Sequence, residues 1–227
     1  MKVYFISGLA ADSRVFKYIQ LPAHCEAVFL EWIKPIKNES LKQYALRLAE
    51  KIDIDEPFSI VGLSMGGMMA SEIANQLNPF VTILISSVPS SKHLPFYFKA
   101  AGALNLQKAV PISLVKSAAV IKRFFTTERD EDKKMIRQII KESDNFFIRW
   151  AMDAILKWEN ETLPSSYLHI HGSKDAVLPM RFTKPTHVLS KAGHLMVMTK
   201  AKEINKFLEE ALTVNAEVRK NARIKIL

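Results

Sequence analysis

The sequence has one cysteine, seven glycines and no long hydrophobic run among its 227 residues. The single cysteine, Cys25, excludes an internal disulfide and a cysteine-rich metal site, and such sparing use is typical of a reducing compartment. No apolar segment approaches the roughly 18 residues that a membrane helix needs, and the start of the chain lacks the long apolar region of a signal peptide. We therefore expect a cytoplasmic protein with no membrane span.

Acidic residues are outnumbered, with 23 Asp and Glu against 32 Lys and Arg, which gives a net charge of +9. Nucleic-acid binding needs basic residues clustered on one face, whereas the lysines here are spread over the whole chain with a local excess only at 219–225. We expect no nucleic-acid partner. The charge fits an ordinary basic surface or attraction to an acidic substrate or partner.

Short apolar runs alternate with helical patterns along most of the chain. The runs are mostly unbroken, as in parallel strands buried on both faces, and they cover 2–7, 27–33, 58–63, 81–87, 166–171 and 185–190. Between them, apolar residues repeat at helical spacing after Ser40, where Gln43 completes a capping box, and again over 65–77 and 200–212. This alternation predicts an α/β fold with an open, mostly parallel sheet flanked by helices.

Residues 89–163 interrupt the alternation, because helical segments punctuated by prolines follow one another there with no strand between them. We interpret this stretch as an inserted helical subdomain. The predicted core then comprises residues 1–88 and 164–227.

Six of the seven glycines fall in four short segments, 7–10, 62–67, 171–175 and 192–194. The second contains the pattern Gly-x-Ser-x-Gly at Gly62, Ser64 and Gly66, after an apolar run and before a helix. A serine hydroxyl is a weak nucleophile unless a base takes its proton and the backbone presents it to a substrate. A sharp strand-to-helix turn does this, and its crowding explains the glycines. The alternative is a tight turn in another kind of α/β protein.

A base and an acid for Ser64 follow later strands. His194 comes after the last strand run, and Asp175 follows the strand that ends at His171. The order serine, aspartate, histidine is the one expected when the nucleophile lies on such a turn. Because each of the three residues follows a strand end, a parallel sheet would bring them to one edge.

Other residues compete for these roles. Asp12 is better explained as a helix N-cap, and Asp144 and Asp153 fall in the helical insertion. His169 and His171 share one face of a strand, as two metal ligands could, but no third ligand stands at metal spacing. We interpret both histidines as strand packing and loop support, and we expect no metal site.

With these motifs the sequence resembles the α/β-hydrolase superfamily, in its branch of small capped carboxylesterases and lipase-like enzymes. The resemblance covers nearly the whole chain, with 89–163 as the helical cap. It implies a nucleophile at Ser64, a base at His194, an acid at Asp175, and an oxyanion hole formed by the backbone N–H groups of Leu9 and Met65. No cofactor is implied. A serine at the nucleophile position is unlike haloalkane dehalogenases and epoxide hydrolases, which need an aspartate there.

Two departures from the family pattern stand out. Ser7 occupies the place of a usual histidine before Gly8. The first apolar run corresponds to the third strand of the family, so for this sequence we expect six strands without the first antiparallel hairpin.

The aromatic residues of the insertion supply candidates for a substrate pocket. We interpret most of them as core, with a minority lining an acyl pocket, namely Phe96, Phe98, Phe147 and Trp150. The function that the resemblance implies is hydrolysis of a small or medium acyl ester through an acyl-enzyme intermediate. A thioesterase or amidase of the same fold, and a non-catalytic ligand-binding protein, stay open as alternatives. Acyl chains on an acidic acyl-carrier partner would suit the net charge of +9.

Overall fold

The computed structural model describes residues 1–124, 127 and 129–224, with side chains for 1–121, 127 and 129–213. Within this part of the chain, six strands form one sheet in which every neighbouring pair is parallel, in the order β2-β1-β3-β4-β5-β6. The strands are β1 (Lys2–Ile6), β2 (Glu26–Phe29), β3 (Phe58–Leu63), β4 (Thr82–Ile85), β5 (Tyr167–Gly172) and β6 (His187–Leu189). The six-stranded α/β sheet predicted from the sequence is confirmed.

Helices fill the connections. The described α-helices are α1 (Leu41–Ala49), α2 (Met65–Leu77), α3 (Phe96–Ala103), α4 (Ile112–Val115), α5 (Ala118–Phe124), α6 (Asp130–Glu142), α7 (Asn145–Leu156), α8 (Met180–Thr183), α9 (Met196–Thr199) and α10 (Ala201–Ile224). The predicted capping box begins α1, since Ser40 Oγ accepts from the Gln43 N–H and Gln43 Oε1 accepts from the Ser40 N–H. Helix α10 is about a dozen residues longer than its apolar pattern indicated.

Alternate residues of the central strands enter two hydrophobic clusters, one on each face of the sheet. On β1, Tyr4 and Ile6 join the cluster built with α1, α2 and α7, whereas Val3 and Phe5 join the cluster built with α6, α9 and α10. All residues of β3 and β4 are buried. Burial on both faces explains why these runs are apolar without alternation.

The stretch between β4 and β5 contains several helices and no strand in its described part, and it packs on both faces of the sheet. Helix α7 contributes to the first cluster through Phe147 and Trp150, and α6 contributes to the second through Ile136 and Ile140. The Trp150 indole N–H donates to the buried Glu39 carbonyl at 2.8 Å. That residues 89–163 form a separate cap subdomain stays a prediction.

None of the described helices combines the length and the apolar character needed to cross a bilayer. The side chains of the basic segment 219–225 lie outside the described residues.

We predict that Trp150→Phe destabilises the protein by about 1–3 kcal/mol, because the Glu39 carbonyl loses its donor in a buried site. Chemical denaturation checks the free energy of unfolding. Phe96→Ala is the matched control, since that ring is 71% exposed and its loss should change stability by about 0.5 kcal/mol or less. An unchanged unfolding midpoint in Trp150→Phe would show that the indole hydrogen bond does not join the insertion to the core.

Candidate active site

Ser64 lies in a strained turn between β3 and α2. Its backbone angles are φ 53° and ψ −119°, in a region that residues other than glycine rarely adopt. Hydrogen bonds hold the turn, because the Ser64 N–H donates to Ile85 O of β4 at 3.0 Å and Ser64 O accepts from the Gly67 N–H at 2.9 Å. This geometry is the one by which a strand-to-helix turn presents a serine hydroxyl at the edge of a sheet.

The start of α2 lies directly against the end of β3, and the glycines make this possible. A Cβ atom on Gly62 would overlap the backbone of Gly66 and Gly67, and one on Gly66 would overlap the carbonyl oxygens of Ile6 and Ser7. The crowding expected from the Gly-x-Ser-x-Gly pattern is therefore real, and it involves backbone that cannot move aside.

Ser64, His194 and Asp175 form one continuous hydrogen-bonded file. His194 Nε2 is 3.0 Å from Ser64 Oγ, and His194 Nδ1 is 2.7 Å from Asp175 Oδ2. Because a carboxylate only accepts, Nδ1 carries the proton of the neutral ring, and Nε2 is left to accept from the serine hydroxyl. Residues 64, 175 and 194, which are distant in sequence, thus meet at the carboxyl ends of the strands.

Asp175 is fully paired although it is buried. Its Oδ1 accepts from the Val177 and Leu178 N–H groups, both at 2.9 Å. Burial alone would raise the pKa of Asp175, but the interactions with His194, His171 and the Leu178 N–H prevail and hold the pKa below its ordinary value. The carboxylate is therefore ionised at neutral pH and able to orient the imidazole.

The other carboxylates considered from the sequence have structural roles elsewhere. Asp12 accepts from the Arg14 N–H as the predicted N-cap of a 3-10 helix. Asp144 caps α7 by accepting from the Phe147 N–H, and Asp153 pairs with Lys157.

His171 supports the loop that carries Asp175, and His169 packs beside it. The His171 Nε2–H donates to the Leu178 carbonyl at 2.8 Å and lies 3.4 Å from Asp175 Oδ2. Burial lowers the pKa of His169 to about 3, so this ring is neutral. Within the described residues, no group of three or more His, Cys, Asp or Glu side chains could hold a metal ion.

The loop from Gly8 to Ala11 runs beside Ser64. A Cβ atom on Gly8 would lie 3.2 Å from the Ser64 Cβ. Where the resemblance would place a histidine, Ser7 Oγ donates to the Ala11 carbonyl at 3.0 Å, and the Trp32 indole N–H donates to the same oxygen at 2.7 Å. Two donors therefore support this loop without the histidine.

The two predicted oxyanion donors, Leu9 and Met65, belong to the 8–11 loop and to the start of α2. Leu9 lines the cavity into which Ser64 opens. Met65 is the first residue of α2, so its N–H has no acceptor within the helix. An oxyanion hole formed by these two groups stays a prediction.

Ser64 and His194 open into a cavity of about 410 Å³. Its walls are almost entirely apolar and come from the 8–11 loop, from α6 and α7, and from the segment that follows Asp175. Among the described residues that line it, none carries a charged side chain. Such a cavity suits an uncharged apolar group placed against the serine hydroxyl.

No protein-family model matches this sequence, and no curated protein matches it. Solved structures do match its fold. The enol-lactonase from Burkholderia xenovorans LB400 superposes with a TM-score of 0.70 at 15% identity, covering 93% of this chain and 91% of that one. The esterase EaEST from Exiguobacterium antarcticum gives 0.69 at 18% identity, covering 92% and 90%. MenH from S. aureus gives 0.69 at 16% identity, covering 95% and 94%.

This chain has the α/β-hydrolase fold. The identities are low, so the match concerns the arrangement of strands and helices.

Of the four aromatic residues predicted to line the substrate pocket, only one does so in this α/β-hydrolase fold. Phe98 lines the Ser64 cavity, whereas Phe96, Phe147 and Trp150 do not. Phe96 projects outward and is 71% exposed. Phe147 and Trp150 pack against Tyr44 of α1, with ring centroids 6.2 and 4.3 Å from it. Their rings complete the hydrophobic cluster on one face of the sheet instead of a wall beside Ser64.

Sequence reasoning missed the support that Ser87 gives to the turn. Ser87 follows β4, and its hydroxyl donates to the Ser64 carbonyl at 2.6 Å. A Cβ atom on Gly67 would overlap the Ser87 side chain, so the two residues are in close contact. The position of Ser87 at the carboxyl end of a strand next to β3 was the one available signal.

We predict that Gly62→Ala destabilises the protein by about 1–3 kcal/mol or more, because the new methyl group overlaps backbone in the turn. The measurement is the free energy of unfolding in denaturant. Gly193→Ala is the matched control, since a Cβ atom there meets nothing within 4 Å and should be nearly neutral. Equal stability of the two variants would contradict the packing described for α2 on β3.

Proposed function

We propose that this protein is a serine hydrolase that cleaves small or medium acyl esters. The observation that carries the proposal is the hydrogen-bonded file from Asp175 through His194 to Ser64, which ends in an apolar cavity. A hydroxyl, an imidazole and a buried carboxylate in this order are the groups that acyl transfer through a covalent intermediate needs.

In the proposed first step, Ser64 Oγ attacks the carbonyl carbon of the ester while its proton passes to His194 Nε2. Asp175 keeps the imidazole in the required tautomer and stabilises the imidazolium that forms. The negative charge on the carbonyl oxygen is bound by the Leu9 and Met65 N–H groups. A donor of this kind typically contributes about 2.7–4 kcal/mol of transition-state stabilisation.

In the proposed next step, the tetrahedral intermediate collapses to an acyl-enzyme. The alcohol leaves after its oxygen takes the proton from His194. Water then attacks the acyl-enzyme as His194 takes one of its protons. The second collapse returns that proton to Ser64 Oγ and releases the carboxylic acid. Every proton transfer has His194 Nε2 as donor or acceptor and Ser64, the leaving alcohol or water as its partner, so these steps need no further acid or base.

Because the cavity next to Ser64 is apolar, it favours a substrate whose acyl group is uncharged. Solved structures with this fold include esterases and an enol-lactonase, which also supports ester chemistry. A thioester with the same acyl group would meet the same residues. The acidic acyl carrier suggested by the net charge stays a prediction.

We predict that Ser64→Ala lowers kcat on p-nitrophenyl butyrate by about 10⁴-fold or more and abolishes labelling by a fluorophosphonate probe, because the attacking hydroxyl is gone. Ser165→Ala is the matched control, since that serine is exposed and bonds Asn78. It should retain both properties. A wild-type protein that neither turns over esters nor reacts with the probe would favour the ligand-binding alternative.

We predict that kcat/KM for p-nitrophenyl esters rises from acetate to hexanoate by up to about fourfold per methylene, since burying each CH₂ contributes about 0.8 kcal/mol. Leu156→Trp, at the cavity wall, should lower the value for hexanoate more than for acetate. Leu163→Trp is the control at an exposed site that does not line the cavity.

A flat dependence on chain length would contradict binding of the acyl group in this cavity. Parallel rates on acyl-thioesters and amides of the same chain lengths identify the preferred bond.

A further inference from the structure

Helix α3 presents apolar side chains to solvent on the side where a surface helix ordinarily presents polar ones. Phe96, Ala100, Ala103 and the following Leu104 share one side of the helix, at i, i+4, i+7 and i+8, and all four are exposed. Phe96 and Leu104 are the most exposed large apolar residues in the described part of the chain, at 71% and 70%. We call these four residues the α3 face. Exposed apolar surface of this kind is typical of an interaction site.

The opposite side of α3 belongs to the wall of the Ser64 cavity. Phe98 lines that cavity, and Gly102 lies so close to α7 that a Cβ atom on it would overlap the Leu156 carbonyl. These inner contacts fix the helix, so the outward apolar residues are not needed for its packing. Helix α3 therefore separates the cavity from whatever contacts the α3 face.

Helix α8 extends the apolar surface at the start of α3. The Phe182 ring centroid lies 6.2 Å from that of Phe96 and 6.0 Å from that of Tyr97. Met180, the first residue of α8, is 37% exposed. The Arg181 guanidinium lies 4.8 Å from the Phe182 ring centroid, so a cation borders the aromatic cluster.

The two segments that supply this surface contain no acidic residue. Residues 73–127 include six Lys or Arg and residues 176–202 include five, with no Asp or Glu in either segment. Lys99 is exposed beside the α3 face, and it forms no salt bridge with another described residue. The acidic side chain whose charge it interacts with, Glu161, is bound by Lys92 at 2.8 Å. The surface therefore combines exposed apolar groups with positive charge.

We propose that the α3 face docks on an anionic lipid surface, with Phe96 and Leu104 among the acyl chains and Lys99 at the level of the headgroups. Helices that lie in a membrane interface combine apolar and basic side chains in the same way. Side chains that project so far into solvent need a partner that deforms around them, as a lipid layer does. A second copy of the chain would instead bring its own cations against these. Docking concerns binding alone and does not depend on the proposed hydrolysis.

The test is co-sedimentation of the full chain with phosphatidylcholine vesicles that contain about one third phosphatidylserine, at low ionic strength. We expect Phe96→Ser combined with Leu104→Ser to weaken binding about tenfold or more, because both side chains lose their burial among the acyl chains. Lys99→Gln should weaken binding to these vesicles about fivefold and leave binding to pure phosphatidylcholine unchanged.

The matched control is Ile36→Ser combined with Ile54→Ser. These side chains are similarly exposed, at 56% and 63%, and belong to neither α3 nor α8. The control should bind vesicles as the wild type does. Equal unfolding midpoints in denaturant check that every variant keeps its fold.

Absence of vesicle binding, or binding that Phe96→Ser with Leu104→Ser leaves unchanged, would overturn the assignment. Binding that is lost only when the basic residues of 219–225 are replaced would overturn it too, since the C-terminal segment would then make the contact. A dimer in solution that the same double substitution dissociates, without any binding to vesicles, would assign the α3 face to a second copy of the chain instead. No ester is present in these measurements, so they are independent of whether the protein hydrolyses one.

Discussion

The left-handed backbone at Ser64 is the constraint on which the site depends. A serine adopts such a conformation only when its surroundings enforce it. Here the Ile85 carbonyl, the Gly67 N–H and the Ser87 hydroxyl fix the peptide groups on either side. These partners come from β4, from the segment directly after it, and from the first turn of α2. The strain at one residue is therefore sustained by the central strands and the helix that covers them.

The parallel sheet converts this local constraint into a site. Because its strands run in one direction, their carboxyl ends meet at one edge, and the segments that follow β1, β3, β4, β5 and β6 converge there. These segments carry Gly8, Ser64, Ser87, Asp175 and His194. Each of these residues lies only a few positions after the end of its strand. Short loops on a buried sheet hold side chains more rigidly than long surface loops do, which suits hydrogen bonds of 2.7 and 3.0 Å between them.

The helices between β4 and β5 both pack on the core and line the Ser64 cavity. Their apolar pattern in the sequence does not distinguish the residues that do one from those that do the other. Helix α7 places Trp150 in the core through its bond to the Glu39 carbonyl, and the same helix closes the Ser64 cavity with Met152 and Leu156. Phe147, on the same helix, contacts Tyr44 in the core and also lines a separate cavity between residues 32–35 and the junction of α6 and α7. A substitution in α7 can therefore change stability and substrate binding together.

The sequence by itself determined the strands and the order of the polar residues that follow them. Buried parallel strands require unbroken apolar runs, and tight turns require glycines, so both can be recognised in the sequence. It also placed Ser64, His194 and Asp175 at strand ends. Tertiary structure alone decided which aromatic rings face a cavity and which fill the core. Phe147 and Trp150 share one helical face, and what that face meets is set by the distant residues Tyr44 and Glu39. The donors that replace a histidine at Ser7 were likewise decided in space, since Trp32 reaches Ala11 only once β2 lies beside β1.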